Sequence, residues 1–409
     1  MQKLQQLELF DTVQQAYLDS GGQLKQSELY QYVEKSLGVD IAKFNEMVGS
    51  QKCNVFKRKI RWIQQSLKHK KLLVNCGKGV WKLDEEAKSE LYTVEKSKAV
   101  IALSTELGLL VCADNKTVLN NEYLDGEIQL CLTSPPYCLQ SSLDYGGPTD
   151  EQRWVDFIME TISLLLPKLA RGASIALVIG IDSFKPNRPA RTTHVERLTL
   201  AMTDVGLELV DKYSWISNKA PGPIAWTSKR PVMLKNSYET ILHFTNDADH
   251  LMSDNRRVRL SHTESHKKFV QMGGTKRAAK SASGKHNKRI GDYSRTDLSK
   301  GKIMTNAFYF ANTCAENRKV HKYCDEMGLP RHPAVLPYKL CETLVQFLCP
   351  MGGLVIDPYS GSGVVAQACE STGRNWLAIE KIVEYVKGSF KRFSNHSGDL
   401  FINPAFLTS

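Results

Sequence analysis

The sequence predicts an α/β protein: a doubly wound, largely parallel sheet with helices on both faces, preceded by a small separate module. Three observations carry this expectation. From about residue 107 onward, short apolar runs bounded by polar residues alternate with amphipathic stretches. One such run leads through a glycine-rich turn, Gly361-Ser362-Gly363, into a helix-forming stretch, and the next run ends in an acid, Glu380. Residues 1–92 read differently, as three helices followed by a basic hairpin.

The bounds come from composition. The 409 residues leave room for one large domain and a smaller one, and 42% hydrophobic content supports a sizeable core. No apolar run approaches the ~20 residues of a membrane span, and MQKLQQLELF is no signal peptide, so a cytoplasmic protein is expected, with no membrane partner. The ten cysteines show neither CxxC nor Cys/His metal spacing; they read as reduced thiols, and no metal site is expected. A net charge of +11 favours an acidic partner, nucleic acid first.

In the first module, Leu7–Leu18 is a helical pattern ended by Ser20-Gly21-Gly22. Ser27 with Glu28 opens a second helix, Leu29–Leu37, stopped by Gly38. Phe56, Ile60, Ile63 and Leu67 fall on one face of a third helix, with Lys57, Arg58, Lys59, Arg61 and Lys68 around the others. Leu72–Val74, a Gly77-Lys78-Gly79 turn and Val80–Leu83 complete a hairpin. A charged, glycine-free stretch, Asp84–Lys98, leads into a linker, residues 93–106.

Leu109–Cys112 reads as a strand ending near Asp114, and Ile128–Leu132 as a second, fully buried one. Trp154–Leu169 is an amphipathic helix. Ser174–Gly180, Gly206–Trp215 and Tyr238–Phe244 are further strands, with a helix at Leu198–Val205. Between Asp254 and Lys302 apolar periodicity disappears, and fourteen Lys/Arg face four acids. That stretch reads as a basic insertion that tracks phosphates, with Arg256, Arg257, Lys267, Lys268, Lys276, Arg277, Lys288 and Arg289 as candidate DNA contacts. Asn218–Pro223 and Trp226–Arg230 are further candidate contact loops. Near the carboxyl end, Pro337–Leu348 is a helix, Gly353–Ile356 a strand, Val364–Glu370 a helix and Trp376–Ile379 a strand.

Two constellations carry chemistry. The strand at Ile128–Leu132 runs into Thr133-Ser134-Pro135-Pro136-Tyr137. The prolines cannot continue the ladder and hold the backbone extended. A hydroxyl, a rigid carbonyl and an aromatic ring are thus presented together at the carboxyl edge of a sheet, where ligands bind. A flat ring with an exocyclic amine fits: Ser134 Oγ and the Pro135 carbonyl accept from the amine, and Tyr137 stacks on the ring. The second constellation is Asp357-Pro358-Tyr359-Ser360-Gly361-Ser362-Gly363 with Glu380, a nucleotide-type cofactor site in which the acid takes both hydroxyls of a ribose. NAD and an S-adenosyl cofactor both satisfy that geometry, although the G-x-G-x-x-G fingerprint of NAD is not matched.

The stretch TSPPY resembles the (Asp/Asn/Ser)-Pro-Pro-Tyr motif of DNA amino-methyltransferases, most of all the cytosine-N4 enzymes of restriction–modification systems. DPYSGSG is similar to their Asp-Pro-Phe-x-Gly-Ser-Gly motif, and His332-Pro333-Ala334-Val335-Leu336-Pro337 to their His-Pro-Ala-x-Phe-Pro segment, with Leu336 in place of the aromatic. The order, catalytic motif before cofactor motif, is that of the group called β, and the resemblance covers about residues 107–392. It implies a Rossmann-like methyltransferase sheet with S-adenosylmethionine as cofactor, His332 and Pro333 at its methionine end and Asp114 near its adenine, although the usual Gly-Asp is here Ala113-Asp114. It implies methylation of cytosine N4 in double-stranded DNA by base flipping. Adenine-N6 methylation is the alternative within the class, and a catalytically inactive DNA-binding regulator the alternative outside it. Residues 107–183 are then the catalytic half, 184–330 the target-recognition region with the basic insertion 254–302, and 331–409 the cofactor half. Residues 1–92 resemble a winged helix, which lays its third helix on DNA; the competing reading is a cap for the catalytic domain or a second subunit. The protein is expected as a monomer or homodimer, with a cognate restriction endonuclease as companion and prokaryotic nucleoid DNA as its place of action. Cys138 reads as a packing residue, since Tyr137 separates it from the Pro-Pro pair.

Overall fold

The computed structural model describes residues 12–407 apart from 14–15, 18, 21, 44, 49–50, 55, 58–59, 62–63, 65–72, 78, 84–98, 121, 139–147, 218–222, 276, 279–281, 284–292 and 294. The predicted contacts Lys276, Lys288 and Arg289, the loop 218–222, and Ile63 and Leu67 of the third predicted helix lie outside the described residues. Two compact units are present, one of residues 1–100 with 396–409, the other of residues 101–395. No described helix is long and apolar enough to cross a membrane.

In the first unit, helix α1 (Gln26–Leu37) starts one residue ahead of the expected Ser27 opening. Lys25 N–H donates to Glu28 Oε2 at 2.8 Å, and Gly38, at φ 63°, ends the helix. The hairpin is present as β4 (Leu73–Gly77) and β5 (Val80–Leu83), but a strand unforeseen in the sequence, β1 (Gln23–Lys25), pairs antiparallel with β5. A second hairpin, β2 (Asn45–Val48) and β3 (Gln51–Asn54), was also unforeseen. Phe56 and Ile60 of the third helical stretch are buried with Val13, Tyr17, Leu29, Val33, Leu73 and Trp81 in one core.

The second unit is built on a sheet of β6 (Val100–Ser104), β7 (Gly108–Cys112), β8 (Ile128–Thr133), β9 (Leu169–Ile179), β10 (Glu208–Ile216), β11 (Tyr238–Thr245), β12 (Ala307–Tyr309), β13 (Leu354–Asp357) and β14 (Asn375–Glu380). Their spatial order is β12-β10-β11-β9-β8-β13-β14-β7-β6. From β9 through β8, β13 and β14 to β7 every pairing is parallel; β11 runs antiparallel to both β9 and β10. Strand β6 occupies part of the stretch read as a linker, which corrects that boundary.

Why both faces are covered follows from the two-residue period of a strand. Ile128, Cys131, Ile175, Leu177, Ile179, Ile356, Leu377 and Ile379 join one core cluster with α3 (Glu151–Leu165) and α4 (His194–Asp204), the latter preceded in the chain by α2 (Asn115–Leu119) and α3. The alternating residues Leu130, Leu132, Ala176, Val178, Val355, Trp376 and Ala378 are buried too, which is the pattern of a sheet with helices on both faces. Helix α3 presents Trp154, Val155, Ile158, Ile162 and Leu165 at helical spacing, and Asp150 caps it by accepting from Arg153 N–H at 2.9 Å. It ends four residues short of the expected Leu169, because Pro167 cannot donate to the turn before it.

The stretch 254–302 is not the aperiodic loop expected. It holds helix α5 (Glu264–Gln271), capped by Thr263 and with Val270 buried. Beyond it come α6 (Ala315–Glu326), α7 (Tyr338–Leu348), α8 (Val364–Thr372) and α9 (Val383–Ser389).

Candidate active site

The two motifs are far apart in the chain but meet in the sheet, because β8 and β13 are parallel neighbours. Strand β8 continues through α3 to β9 on one side, while β13 continues through α8 to β14 on the other. The strand order therefore switches between them, and the crevice at the carboxyl ends of such a switch is where open α/β sheets bind ligands. One bond ties the two loops together: Thr133 Oγ1 donates to Asp357 Oδ1 at 2.6 Å.

On the β13 side, Gly361 takes φ 51° and Gly363 φ 73°, which lets the chain turn tightly into α8. A side chain at Gly361 would place its Cβ 2.9 Å from His332 Nε2. Glu380, at the end of β14, accepts from Gly361 N–H at 2.8 Å through Oε2 and from Ile382 N–H at 2.9 Å through Oε1. Burial pushes its carboxyl up to about 7. Burial does the same to Asp357, with the neighbouring Glu380 adding to it, so Asp357 also reaches about 7. Asp114 stands at the same edge, one residue past Ala113, whose N–H donates to Glu380 O at 3.0 Å. Its side chain caps α2 by accepting from Lys116 N–H. The His332 ring lies edge-on to Tyr385 with centroids 4.6 Å apart, accepts from Ala334 N–H through Nδ1, and is pushed by burial down to about 4, hence neutral.

Not every residue of the glycine-loop motif turns its side chain to the crevice. Tyr359 was expected at the cofactor, yet its hydroxyl is bonded to Thr161 on α3 at 2.7 Å. Pro358 offers its carbonyl to Asn115 Nδ2 at 3.4 Å. Ser362 Oγ and its carbonyl oxygen both accept from the buried Arg392, which also donates to Asn317 Oδ1 at 3.0 Å and Gln367 Oε1 at 2.8 Å. Asn317 in turn donates to Leu336 O at 3.0 Å. Arg392 thereby links the glycine loop to the His332–Pro337 segment, at a desolvation cost that lowers the guanidinium to about 10. Two observations suit the loop to a ligand. Ser360 Oγ is buried with no hydrogen-bond partner among the described residues, and the cradle beside Gly361 is space that a Cβ would fill.

On the β8 side, Ser134 Oγ lies 3.1 Å from Val178 O and 3.3 Å from Tyr137 Oη. Tyr137 Oη donates to Glu239 Oε2 at 2.6 Å. Trp154 Nε1 donates to Pro136 O at 2.6 Å, fixing the Pro-Pro segment on α3. His194 backs Trp154 edge-on, with ring centroids 5.1 Å apart. Gly180 gives the Tyr137 ring its place, since a Cβ there would stand 2.7 Å from Cδ2 and Cε2 of that ring. Cys138 is 2% exposed, belongs to the core, and has its thiol raised by burial, as fits a packing residue. A cavity of about 340 Å³ opens beside Tyr137. Trp215 and Glu239, cross-strand partners on β10 and β11, line it with Asn317, His321 and the segment from His332 to Leu336.

The basic segment is more committed to the fold than its charge suggested. Arg257 donates through Nη1 to Met252 O and Phe347 O, pinning the segment to the end of α7. Arg256 pairs with Asp254 at 2.8 Å and Lys267 with Glu264 at 2.7 Å. Lys268 and Arg277 are exposed.

A parallel sheet with a glycine-loop cofactor site and a Pro-Pro-Tyr site at its switch point defines a methyltransferase of the nucleotide-cofactor kind. The chain belongs to the DNA methylase family, that of the N6 and N4 methyltransferases, whose model matches residues 128–391. Its cofactor is accordingly S-adenosylmethionine. The model of the Mrr N-terminal domain matches residues 8–92. The chain is 28% identical over 298 residues to the type II methyltransferase M.PvuII of Proteus hauseri, covering 72% of this chain and 86% of that one. The solved structure of the PvuII DNA methyltransferase, described as cytosine-N4-specific, superposes with a TM-score of 0.56 at 25% identity, covering 72% of this chain and 89% of that one.

Sequence reasoning missed Glu239, Gly180, Asn317 and Arg392. Glu239 was the most findable, the one acid inside the predicted strand Tyr238–Phe244. Arg392 gave no local cue, since its partners lie on the glycine loop, α6 and α8.

Proposed function

We propose that the protein transfers a methyl group from S-adenosylmethionine to the exocyclic N4 amine of cytosine in double-stranded DNA, acting on a base rotated out of the helix. The observation that carries this reading is the disposition of Ser134. Its hydroxyl proton is directed to Val178 O or Tyr137 Oη, so what Ser134 offers the crevice is a lone pair, the partner an amine N–H requires. Trp154 occupies the Pro136 carbonyl, and the Pro135 carbonyl is left as the second acceptor. Two acceptors on one amine draw its nitrogen toward tetrahedral geometry and free its lone pair from the ring. The Tyr137 ring stacks on the base, returning roughly 1–3 kcal/mol of the few kcal/mol spent on extracting it. Bound S-adenosylmethionine supplies the electrophilic methyl group. Glu380 would hold the ribose hydroxyls, the Gly361–Gly363 turn and Asp357 the body of the cofactor, Asp114 the adenine side and His332 with Pro333 the methionine end. The N4 specificity named for the PvuII enzyme supports cytosine as the target.

Residues 184–330 would read the DNA, and the N-terminal module would add a second DNA contact or hold a partner such as a cognate endonuclease. Sequencing DNA from cells expressing the protein, with detection of modified bases, tests the function. A modified cytosine within one recurring sequence is expected; modification at adenine alone would replace the reading by adenine-N6 methylation.

The basic segment gives a separate expectation. Neutralising the exposed Lys268, Arg277 and Arg295 flattens the slope of log affinity against log salt by about 0.9 per phosphate contact removed, with base preference unchanged. Arg257→Gln, by contrast, lowers thermal stability, because its two carbonyl partners lose their donor. An unchanged slope in the triple variant would make the segment a solvated surface.

A further inference from the structure

We propose that Ser134, Tyr137 and Glu239 form a proton relay that carries the proton shed by the target amine to the Glu239 carboxylate. The inference rests on the methyl-transfer reading above. Three oxygens stand in a continuous line: Ser134 Oγ is 3.3 Å from Tyr137 Oη, and Tyr137 Oη is 2.6 Å from Glu239 Oε2. Glu239 is 6% exposed, is the one acid of its strand and lines the same cavity as Tyr137. A carboxylate is costly to bury, and a short bond to a phenol aimed at the reaction site is an unusual use for one unless the proton it can accept matters.

The chemistry asks for such an acceptor. An amine that gains a methyl group must lose a proton, and neither a serine nor a tyrosine hydroxyl keeps one at neutral pH. The other buried acids of the crevice are engaged elsewhere, Asp357 with Thr133 and Tyr359 N–H, and Glu380 with Gly361 and Ile382 N–H. In the relay, the amine lone pair forms the N–C bond while the S–C bond of the sulfonium breaks and its electron pair stays on sulfur. The amine proton passes to Ser134 Oγ, the serine proton to Tyr137 Oη, and the tyrosine proton to Glu239 Oε2. Each hydroxyl ends as it began, and Glu239 ends as a neutral acid that returns its proton to water after product release. The alternation open to the Ser134 hydroxyl, Val178 O or Tyr137 Oη, is the switch this requires.

Glu239→Gln keeps the size and an acceptor for Tyr137 but cannot take a proton. The single-turnover rate of methyl transfer should fall roughly 10²–10⁴-fold, the range of a lost general base, with cofactor and DNA affinities retained. Tyr137→Phe, which keeps a stacking ring, should fall similarly, and the double variant should be no slower than the slower single one, because both break one path. Glu239→Asp should recover part of the rate. A glutamine variant as fast as the wild type, multiplicative losses in the double variant, or loss of cofactor and DNA affinity in step with rate would each overturn the relay. The base modified by the wild-type protein is identified in the same assay. Product at adenine would contradict the cytosine reading and leave the relay to be judged on the variant rates.

Discussion

Ser134→Ala lowers kcat by roughly 10²–10³-fold, the cost of one hydrogen bond that matters only as the reacting group changes charge, while cofactor and DNA bind as before. The expectation follows from where the Ser134 proton goes. Since that proton is directed to Val178 O or Tyr137 Oη, the lone pair facing the amine is what alanine removes. Tyr137→Ala acts earlier in the cycle. It removes the surface against which the extrahelical base rests, worth roughly 1–3 kcal/mol, and so weakens capture. Placing the target opposite a mismatch makes the base cheaper to extract and should restore part of the Tyr137→Ala loss, with the share owed to the hydroxyl not restored. The same mismatch should leave Ser134→Ala as slow as before. Equal rescue of both variants would contradict the division of roles.

Glu380→Ala should weaken cofactor affinity by on the order of 10²-fold or more, because two hydrogen bonds to a charged group are lost at ~1.5–3 kcal/mol each, while DNA binding is largely retained. The carboxylate also holds Gly361 N–H and Ile382 N–H, so the glycine turn loosens with it. Glu380→Gln, which keeps an acceptor oxygen, should lose less. Its titration gives a second handle. Burial raises the folded carboxyl to about 7, whereas an unfolded glutamate titrates near ~4.3. Across that window the folded state binds the proton that the unfolded state has released, so the contribution to stability falls as pH rises through it and levels off above. Asp357, also near 7, acts in the same direction. Ribose hydroxyls donate to the ionised form, so cofactor binding expels a proton when the free protein is partly protonated, and affinity climbs with pH up to about 7 before flattening. Calorimetry in buffers of different protonation enthalpy measures that proton. Unchanged cofactor affinity in Glu380→Ala would contradict the assignment.

What could be read from the chain was what is local in it. The run Ile128–Tyr137, the turn Asp357–Gly363 and the acid at Glu380 each announce a strand end and its loop within a dozen residues, and all three stand where expected. What joins them is remote. Thr133 and Asp357 are 224 residues apart, Tyr137 and Glu239 are 102, and Ser134 and Val178 are 44. No periodicity links such pairs; they meet only because β8 lies between β9 and β13. The misread elements have equally specific causes. Strand β1 is three residues long and abuts the helix signal at Glu28, so it leaves no pattern of its own. Strand β6 follows a charged stretch that reads as linker. Helix α5 was hidden because it is only eight residues long and Phe269 and Val270 are its only apolar residues, adjacent in the chain, so no repeating apolar stripe can be read. Arg257 shows that charge alone hides a second role, since its Nη1 donates to two carbonyls of the fold.

The central claim, that the crevice between β8 and β13 methylates the exocyclic amine of cytosine, is tested most directly by the product. Purified protein is incubated with S-adenosylmethionine and duplex DNA, and the DNA is digested to nucleosides and separated by chromatography with mass detection. The account predicts N4-methylcytosine from the wild-type protein and almost none from Ser134→Ala under the same conditions. N6-methyladenine in its place, or product formed equally well without the Ser134 hydroxyl, would contradict it.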